Sequence, residues 1–332
     1  MEMIQINSTE LVSSKIGLGT WAIGGWLWGG TDEKESIQTI EHAVELGINL
    51  IDTAPVYGFG LSEEIVGKAL KGSNIRDRVL IATKCGLEWN QGNVRRNSSK
   101  DRIIKEIEDS LRRLATDRID IYQIHWPDES TPFEESAAVL EKLYRDGKIR
   151  AVGVSNFSPT QMKAFQTKCP LHTNQPPYNI FERDIEKDIL LHTEGENVVT
   201  LAYGALCRGL LSGRMNAQTE FTGDDIRKVD PKFQKGRFEQ YLDAVKSLDE
   251  FAQARFNKRV IHIAIRWLLD QNISVIALWG ARRPEQLDVI KELSGWSLSA
   301  EDIEEMNRIV MTTVKDPVGP DFMGPPRNLP AK

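Results

Sequence analysis

The stretch RIDIYQIHWPDESTPFEESAAVLEKLYRDGKIRAVGVSNFSPTQM, residues 118–162, holds two strand-to-helix passages in succession. IDIYQIH (119–125) is mostly apolar and lacks a sustained apolar–polar alternation, the pattern of a parallel strand covered on both faces. The period then changes. Phe133, Ala137, Leu140 and Tyr144 fall on one side of a helix over 132–146. Thr131 is expected to cap that helix, with Pro132 at its first position, Glu134 completing a capping box and Gly147 ending it. IRAVGVS (149–155) reads as the next strand, and Ser158, Pro159 and Gln161 repeat the helix-start signal.

The same alternation extends both ways. Strands are expected at 15–19, 49–52, 79–84, 119–125, 149–155, 173–178, 198–203 and 274–278. Helices are expected at 33–46, 62–70, 99–114, 132–146, 159–168, 185–193, 260–270 and 284–293. Crossovers between parallel strands are right-handed, so eight consecutive βα units can close on themselves. The alternative, an open doubly wound sheet, usually carries GxGxxG after its first strand. GLGTWAIGG (17–25) contains GxG, but no helix-opening turn follows at the right spacing. The reading is therefore α/β, a (β/α)8 TIM barrel. Three segments exceed the minimal unit. Residues 1–14 suit a hairpin beneath the barrel, and 238–256 suits a helix within the long 215–258 connection. Residues 299–313 open on a Ser299–Asp302 cap and form an extra helix. The tail DPVGPDFMGPPRNLPAK (316–332) is too rich in Pro and Gly for regular structure and reads as an irregular arm. No repeat or linker divides the chain, so one domain over 1–332 is expected.

The 332 residues carry 42 Lys and Arg against 48 Asp and Glu, a net charge of −6. That balance argues against a nucleic-acid backbone binder, which needs a basic surplus, yet allows a local basic pocket. Cys85, Cys169 and Cys207 are scattered, without metal-ligand spacing, so no disulfide framework and no metal are expected. MEMIQINSTELVSSKIG does not read as a signal peptide, and no run of about eighteen apolar residues spans a membrane. A cytoplasmic location and a small-molecule partner are expected.

Barrel sites lie at the C-terminal ends of strands, and here the apolar runs end in polar residues. INLIDTAPVYG gives Asp52 and Tyr57, LIATK gives Lys84, and YQIH gives His125. VGVSNF gives Ser155 and Asn156, TNQPPY gives Asn174 and Gln175, and VTLAYG gives Tyr203. Singly, each has a plain structural role: a turn cap, a solvated lysine, a packed loop aromatic, a satisfied core histidine. On successive strands of one barrel they converge on one mouth. A free tyrosine is a weak acid, with a pKa near ~10, and a nearby ammonium is expected to lower that value. Asp52 can hold Lys84, and His125 can orient a carbonyl oxygen. No activated Ser or Cys accompanies them, so the set suits proton delivery to a developing alkoxide, with hydride from a cofactor. WGARRPEQL supplies Gly280, Arg282 and Arg283, and Pro284 is expected to open a helix with an anion-favouring N-terminus. LCRGLLSGR (206–214) adds a second Gly/Arg-rich loop.

Together IDTAPVYG, IATK, QIHWPD, VGVSNF, NQPPYN and GARRPEQL resemble the aldo-keto reductase superfamily, in order and over nearly the whole chain. GTWAIGGWLWGGTDE, LAYGALCRGLL, DPKFQK and IALWGAR look closest to its bacterial branch of general stress proteins and a glyceraldehyde reductase. The resemblance implies a catalytic tetrad at Asp52, Tyr57, Lys84 and His125 and hydride from NADPH without a metal. It also implies cofactor contacts at Gly19, Thr20, Trp21, Asp52, Ser155, Asn156 and Gln175, with Tyr203 stacking on the nicotinamide. A pyrophosphate belt is implied at Gly204, Leu206, Arg208, Gly209 and Arg214, and a 2′-phosphate site at Gly280, Arg282, Arg283 and Gln286. Val289 and Ile290 stand where many relatives hold adenine with an acidic residue and Asn. Trp21, Trp28, Trp89 and Trp126 are the candidate substrate pocket, with Trp26 nearby. The implied activity is reduction of small aldehydes, such as glyceraldehyde or methylglyoxal. The alternatives are a regulatory NADP(H)-binding partner resembling potassium-channel β subunits and a Schiff-base aldolase using Lys84.

Overall fold

The computed structural model describes residues 1–271 and 273–327, so residues 328–332 of the expected arm lie outside the described residues. Eight parallel strands close a barrel in chain order. They are β1 (Ile16–Gly19), β2 (Leu50–Asp52), β3 (Leu80–Cys85), β4 (Ile119–Ile124), β5 (Ile149–Ser155), β6 (Thr173–Gln175), β7 (Val199–Ala202) and β8 (Val275–Gly280). Around them run α1 (Glu33–Glu45), α2 (Leu61–Gly72), α3 (Lys100–Leu114), α4 (Phe133–Arg145), α5 (Pro159–Gln166), α6 (Ile189–Gly195) and α8 (Val260–Leu269). α7 (Phe238–Phe256) lies in the long connection before β8, and α9 (Ala300–Thr313) follows the barrel.

Side chains alternate across a strand, which divides the apolar residues into two cores. Leu18, Ile51, Ile81, Tyr122, Val152 and Val154 face the helices. Leu50, Ala82, Ile121, Ala151, Leu201, Ile276 and Leu278 fill the barrel. The expected N-terminal hairpin, Met3–Gln5 paired with Val12–Ser14, inserts Ile6 and Leu11 into the interior cluster and closes the lower end. Two residues further up, several interior rows turn polar, as at Asp52, Lys84, Gln123 and Tyr203.

The structure corrects several local expectations. β6 stops at Gln175 rather than Tyr178, because Pro176 and Pro177 have no N–H for the ladder. Residues 185–193 divide into a 3₁₀ turn (Asp184–Lys187) and the short α6. The α-helix expected over 284–293 does not form: Pro284–Gln286 and Asp288–Glu292 are 3₁₀ turns. Thr131 does not cap α4. Its hydroxyl donates to Asp128, whose carboxylate also collects the Ser98 and Ser130 amides and the Ser130 hydroxyl. The capping boxes at Ser158 and Ser299 form as expected. A second hairpin, Leu87–Asn90 with Asn93–Arg96, stands on the barrel mouth and was not foreseen.

Candidate active site

The interior rows explain why the polar residues meet. Each strand contributes one residue to the mouth, within one position of its end: Gly19, Asp52, Lys84, His125, Ser155, Gln175, Tyr203 and Gly280. Register confirms their level, with Gly19 opposite Asp52, Ser155 opposite Gln175, and Gly280 opposite Gly19. Seven of the eight line one cavity of about 620 Å³, whose wall also includes Tyr57. Lys84 is the exception, fully buried behind it. Asn174 faces the other way by alternation and does not line the cavity.

Lys84 is held by four acceptors. Its Nζ donates to both oxygens of Asp52 (3.0 and 2.8 Å), to the Thr53 carbonyl (2.9 Å) and to Tyr57 Oη (3.2 Å). Gln175 Nε2 also donates to Asp52, at 2.8 Å. Tyr57 sits on the loop after β2. Gly24 permits that placement, since a Cβ there would stand 2.6 Å from the Tyr57 carbonyl carbon. The His125 ring meets the Tyr57 ring edge-on with centroids 5.8 Å apart, and Trp21 stacks on Tyr57 at 6.0 Å.

The titration behaviour corrects one expectation. Burial, reinforced by the Asp52 charge, holds the Tyr57 phenol well above its ordinary value of 10.0. The ammonium beside it does not reverse this. Burial also lowers Lys84, against the opposing pull of Asp52. It holds His125 well below 6.5, aided by the Lys84 charge. At neutral pH the site therefore presents a protonated phenol and a neutral imidazole.

On the opposite wall, Ser155 Oγ donates to the Gln175 carbonyl (2.7 Å) and Asn156 Nδ2 to the His125 carbonyl (3.1 Å). Tyr203 Oη donates to Asn156 Oδ1 (3.0 Å). The cavity continues past Gly204, Leu206 and Gly209 to Gly280, Arg282 and Gln286. A Cβ on Gly280 would meet nothing within 4 Å, so open space lies against that backbone. The lid is a clasp. Asp224 accepts from the Leu27 and Gly29 amides (2.8 and 3.0 Å), the Ile226 amide donates to the Leu27 carbonyl, and Arg282 Nη1 donates to the Trp28 carbonyl (2.8 Å).

Other expected contacts fall elsewhere. Thr20 is buried off the cavity, its hydroxyl donating to the Asp52 carbonyl. Arg208 lines the wall, but its guanidinium is committed to Glu182 and to Asp230 (2.5 Å). Arg214 and Arg283 are exposed and off the cavity, Arg283 pairing with Glu285 at 3.3 Å. Gln286 Oε1 accepts the Arg282 and Arg283 amides, and because Pro284 opens only a 3₁₀ turn, the anion-favouring helix N-terminus expected there does not form. Trp89 packs on Phe59 and under Arg102 rather than on the cavity, whereas Trp21, Trp26, Trp28 and Trp126 line it. Val289 and Ile290 do not line it. Sequence reading missed Arg227, which lines the cavity, lies over the Trp28 and Phe221 rings and pairs with Asp225. It also placed the irregular C-terminal arm without its contribution of Met323, Pro325 and Pro326 to the cavity wall.

A family model described as the aldo/keto reductase family matches residues 15–311. The chain belongs to that family. It is similar to aldo-keto reductase YhdN of Bacillus subtilis, 56% identical over 98% of both chains. It is 36% identical to an NADH-specific methylglyoxal reductase of Escherichia coli, over 86% of this chain and 91% of that one. Among solved structures, a glycerol dehydrogenase of Gluconobacter oxydans superposes with a TM-score of 0.87 at 54% identity, covering 97% of this chain and 99% of that one. An aldo/keto reductase of Klebsiella pneumoniae, solved with NADP and acetate, superposes with a TM-score of 0.71 at 26% identity, covering 91% and 93%. This aldo-keto reductase is therefore an oxidoreductase of a family that uses nicotinamide cofactors, and the bacterial branch read from its motifs stands. The regulatory alternative is not favoured. Nor is the aldolase, which needs an accessible amine where Lys84 is fully buried. Among the described residues no helix is long and apolar enough to cross a membrane.

Proposed function

We propose that this protein reduces small polar aldehydes to alcohols with NADPH, Tyr57 delivering the proton. The observation that carries this reading is the Lys84–Tyr57 contact, made behind a cavity wall by a lysine fixed on Asp52. Because the ammonium already donates to Oη, the phenolic hydrogen is left to point into the cavity. Burial keeps that proton in place until a stronger base forms, and a developing alkoxide is such a base. Neutral His125 serves as a hydrogen-bond donor that orients the carbonyl oxygen.

The residues present fit a dinucleotide. The wall is open against Gly280, and two guanidiniums, Arg227 and Arg282, stand along it. Ser155, Asn156 and Gln175 would hold the carboxamide, and Tyr203 would face the nicotinamide ring. Gly204, Leu206 and Gly209, with Arg227, would hold the pyrophosphate. Gly280, Arg282 and Gln286 would hold the 2′-phosphate. When bound, the cofactor supplies hydride to the carbonyl carbon. The alkoxide oxygen so formed would take its proton from Tyr57 to give the alcohol, so that carbon is reduced at the expense of the cofactor.

Two observations favour small polar substrates. Trp21 and Trp28 meet edge to face at 5.5 Å beside Tyr57 and narrow the mouth. Trp28 Nε1 is buried in that wall with no hydrogen-bond partner among the described residues, a donor suited to a hydroxyl beside the carbonyl. Comparing kcat/KM for glyceraldehyde and a bulky ketone, with NADPH oxidation as readout, tests this. Glyceraldehyde is expected to win. A bulky ketone ahead by tenfold, about 1.4 kcal/mol in the barrier, would refute the narrow mouth.

A further inference from the structure

We propose that Arg96 latches the C-terminal arm in place as the outer wall of the carbonyl pocket and thereby sets the longest substrate the pocket takes. This rests on the reading above only in taking the space beyond Tyr57 as the carbonyl site.

Arg96 ends the second strand of the mouth hairpin and is 5% exposed. Its guanidinium reaches two segments far apart in sequence. Nη1 donates to the Pro127 carbonyl at 2.8 Å, while Nε and Nη2 donate to the Pro325 carbonyl at 3.2 and 3.0 Å. The same group lies over the Trp126 ring, 5.2 Å from its centroid, and Gly324 packs on the far edge of that ring. Met323, Pro325 and Pro326 line the cavity, as do Asn93, Val94 and Trp126. Thus one arginine joins the hairpin, the loop after β4 and the arm at the place where all three face the pocket.

Elementary chemistry explains the need for it. Pro325 and Pro326 have no N–H, so this part of the arm cannot attach itself to a strand edge with its own donors. Only its carbonyls are available, and a planar five-donor fork suits two carbonyls from different segments. The arm's upstream ties lie before residue 320. They are the Lys315 amide to Gln240 (2.8 Å), the Val318 amide to Tyr241 Oη (3.3 Å) and Lys232 Nζ to the Gly319 carbonyl (3.3 Å). Beyond them come the turns from the Met323 and Gly324 amides to the Pro320 and Asp321 carbonyls, the Phe322 ring 5.8 Å from the Arg208 guanidinium, and a rim pair of Arg327 with Glu129 at 3.7 Å. Loosening Arg96 therefore frees the wall segment while its upstream ties remain.

The test compares wild type, Arg96→Ala and Arg96→Lys on straight-chain aldehydes from propanal to octanal. In Arg96→Ala, KM for propanal is expected to rise roughly tenfold, the scale of a lost apolar contact, with kcat nearly unchanged. The octanal-to-propanal ratio of kcat/KM is expected to rise, and NADPH affinity to stay as in wild type. Lysine, without the fork, is expected to fall between. A ratio equal to wild type overturns the proposal, whether or not activity falls. If Arg96→Ala does not fold, deletion of residues 323–332 carries the same prediction. Hydrogen exchange at the Met323 and Gly324 amides reads the latch without substrate. It is expected to quicken in Arg96→Ala, and equal rates overturn the proposal. If the carbonyl reading itself fails, wild type shows no aldehyde turnover while the exchange contrast persists.

Discussion

A charged side chain's identity is written in the sequence, but its partner is not. Arg208 and Arg282 looked equally suited to a phosphate. Arg208 is taken by Glu182 and Asp230, both more than twenty positions away, whereas Arg282 gives one Nη1 hydrogen to the Trp28 carbonyl and keeps other donors on the cavity. Burial and Arg227 beside it lower its proton affinity, as for a cation set where an anion is wanted. Arg282→Gln is therefore expected to raise the NADPH dissociation constant by roughly ten- to a hundredfold, about 1–3 kcal/mol for a hydrogen bond to a charged group. NADH affinity is expected to stay put, and Arg283→Gln to change neither. Fluorescence titration of the three proteins with both cofactors decides it. Equal wild-type affinity for NADPH and NADH would contradict the 2′-phosphate assignment. At this scale Asp52, Lys84 and His125 were legible because strand ends fix their height, whereas Tyr57 sits on the loop after β2 and was legible only from its motif. The Tyr57 titration was misjudged because burial is invisible in a motif.

Elements were legible where period and caps agreed and obscure where a side chain from elsewhere decided. The mouth hairpin turns through Gln91 and Gly92, both at positive φ, between Trp89 and Val94, which face each other across the ladder. An Asn-Gln-Gly-Asn turn flanked by alternating apolar residues was the available signal. α3 carries a titrating group of its own. Glu106 is fully buried, accepts the Gly86 amide at 2.7 Å just beyond β3 and pairs with Arg102 at 2.8 Å. Burial, against the pull of Arg102, pushes its carboxyl from 4.5 up to about 7. A folded-state value above the unfolded one stabilises fully below the unfolded value. That stabilisation is lost as pH rises through about 7. Glu106→Gln stays neutral and keeps an acceptor for Gly86. Its Tm relative to wild type is therefore expected to rise between pH 5.5 and 8.5, by roughly 2–4 °C if about 1 kcal/mol is involved. A difference flat across that range would show that Glu106 does not titrate there.

In the whole molecule, alternation along eight strands does most of the work of placing the site. It separates two apolar cores and brings one residue per strand to a common level, and both follow from reading strand ends in a closed barrel. What closes over that level was hidden. The Asp224 clasp and the ties of the arm are long-range contacts of loops, whose residues carry no periodicity, while the second hairpin is a short local pair signalled mainly by its turn. This convergence supports Tyr57 as the proton source for carbonyl reduction. Tyr57→Phe removes only the hydroxyl and leaves the ring packed between Trp21 and His125. The most direct measurement is kcat for NADPH-dependent glyceraldehyde reduction by this variant, alongside its NADPH dissociation constant. A fall of at least about a hundredfold in kcat is expected, within the usual range for a lost general acid, with NADPH affinity essentially unchanged. Retention of most of the wild-type kcat would contradict it.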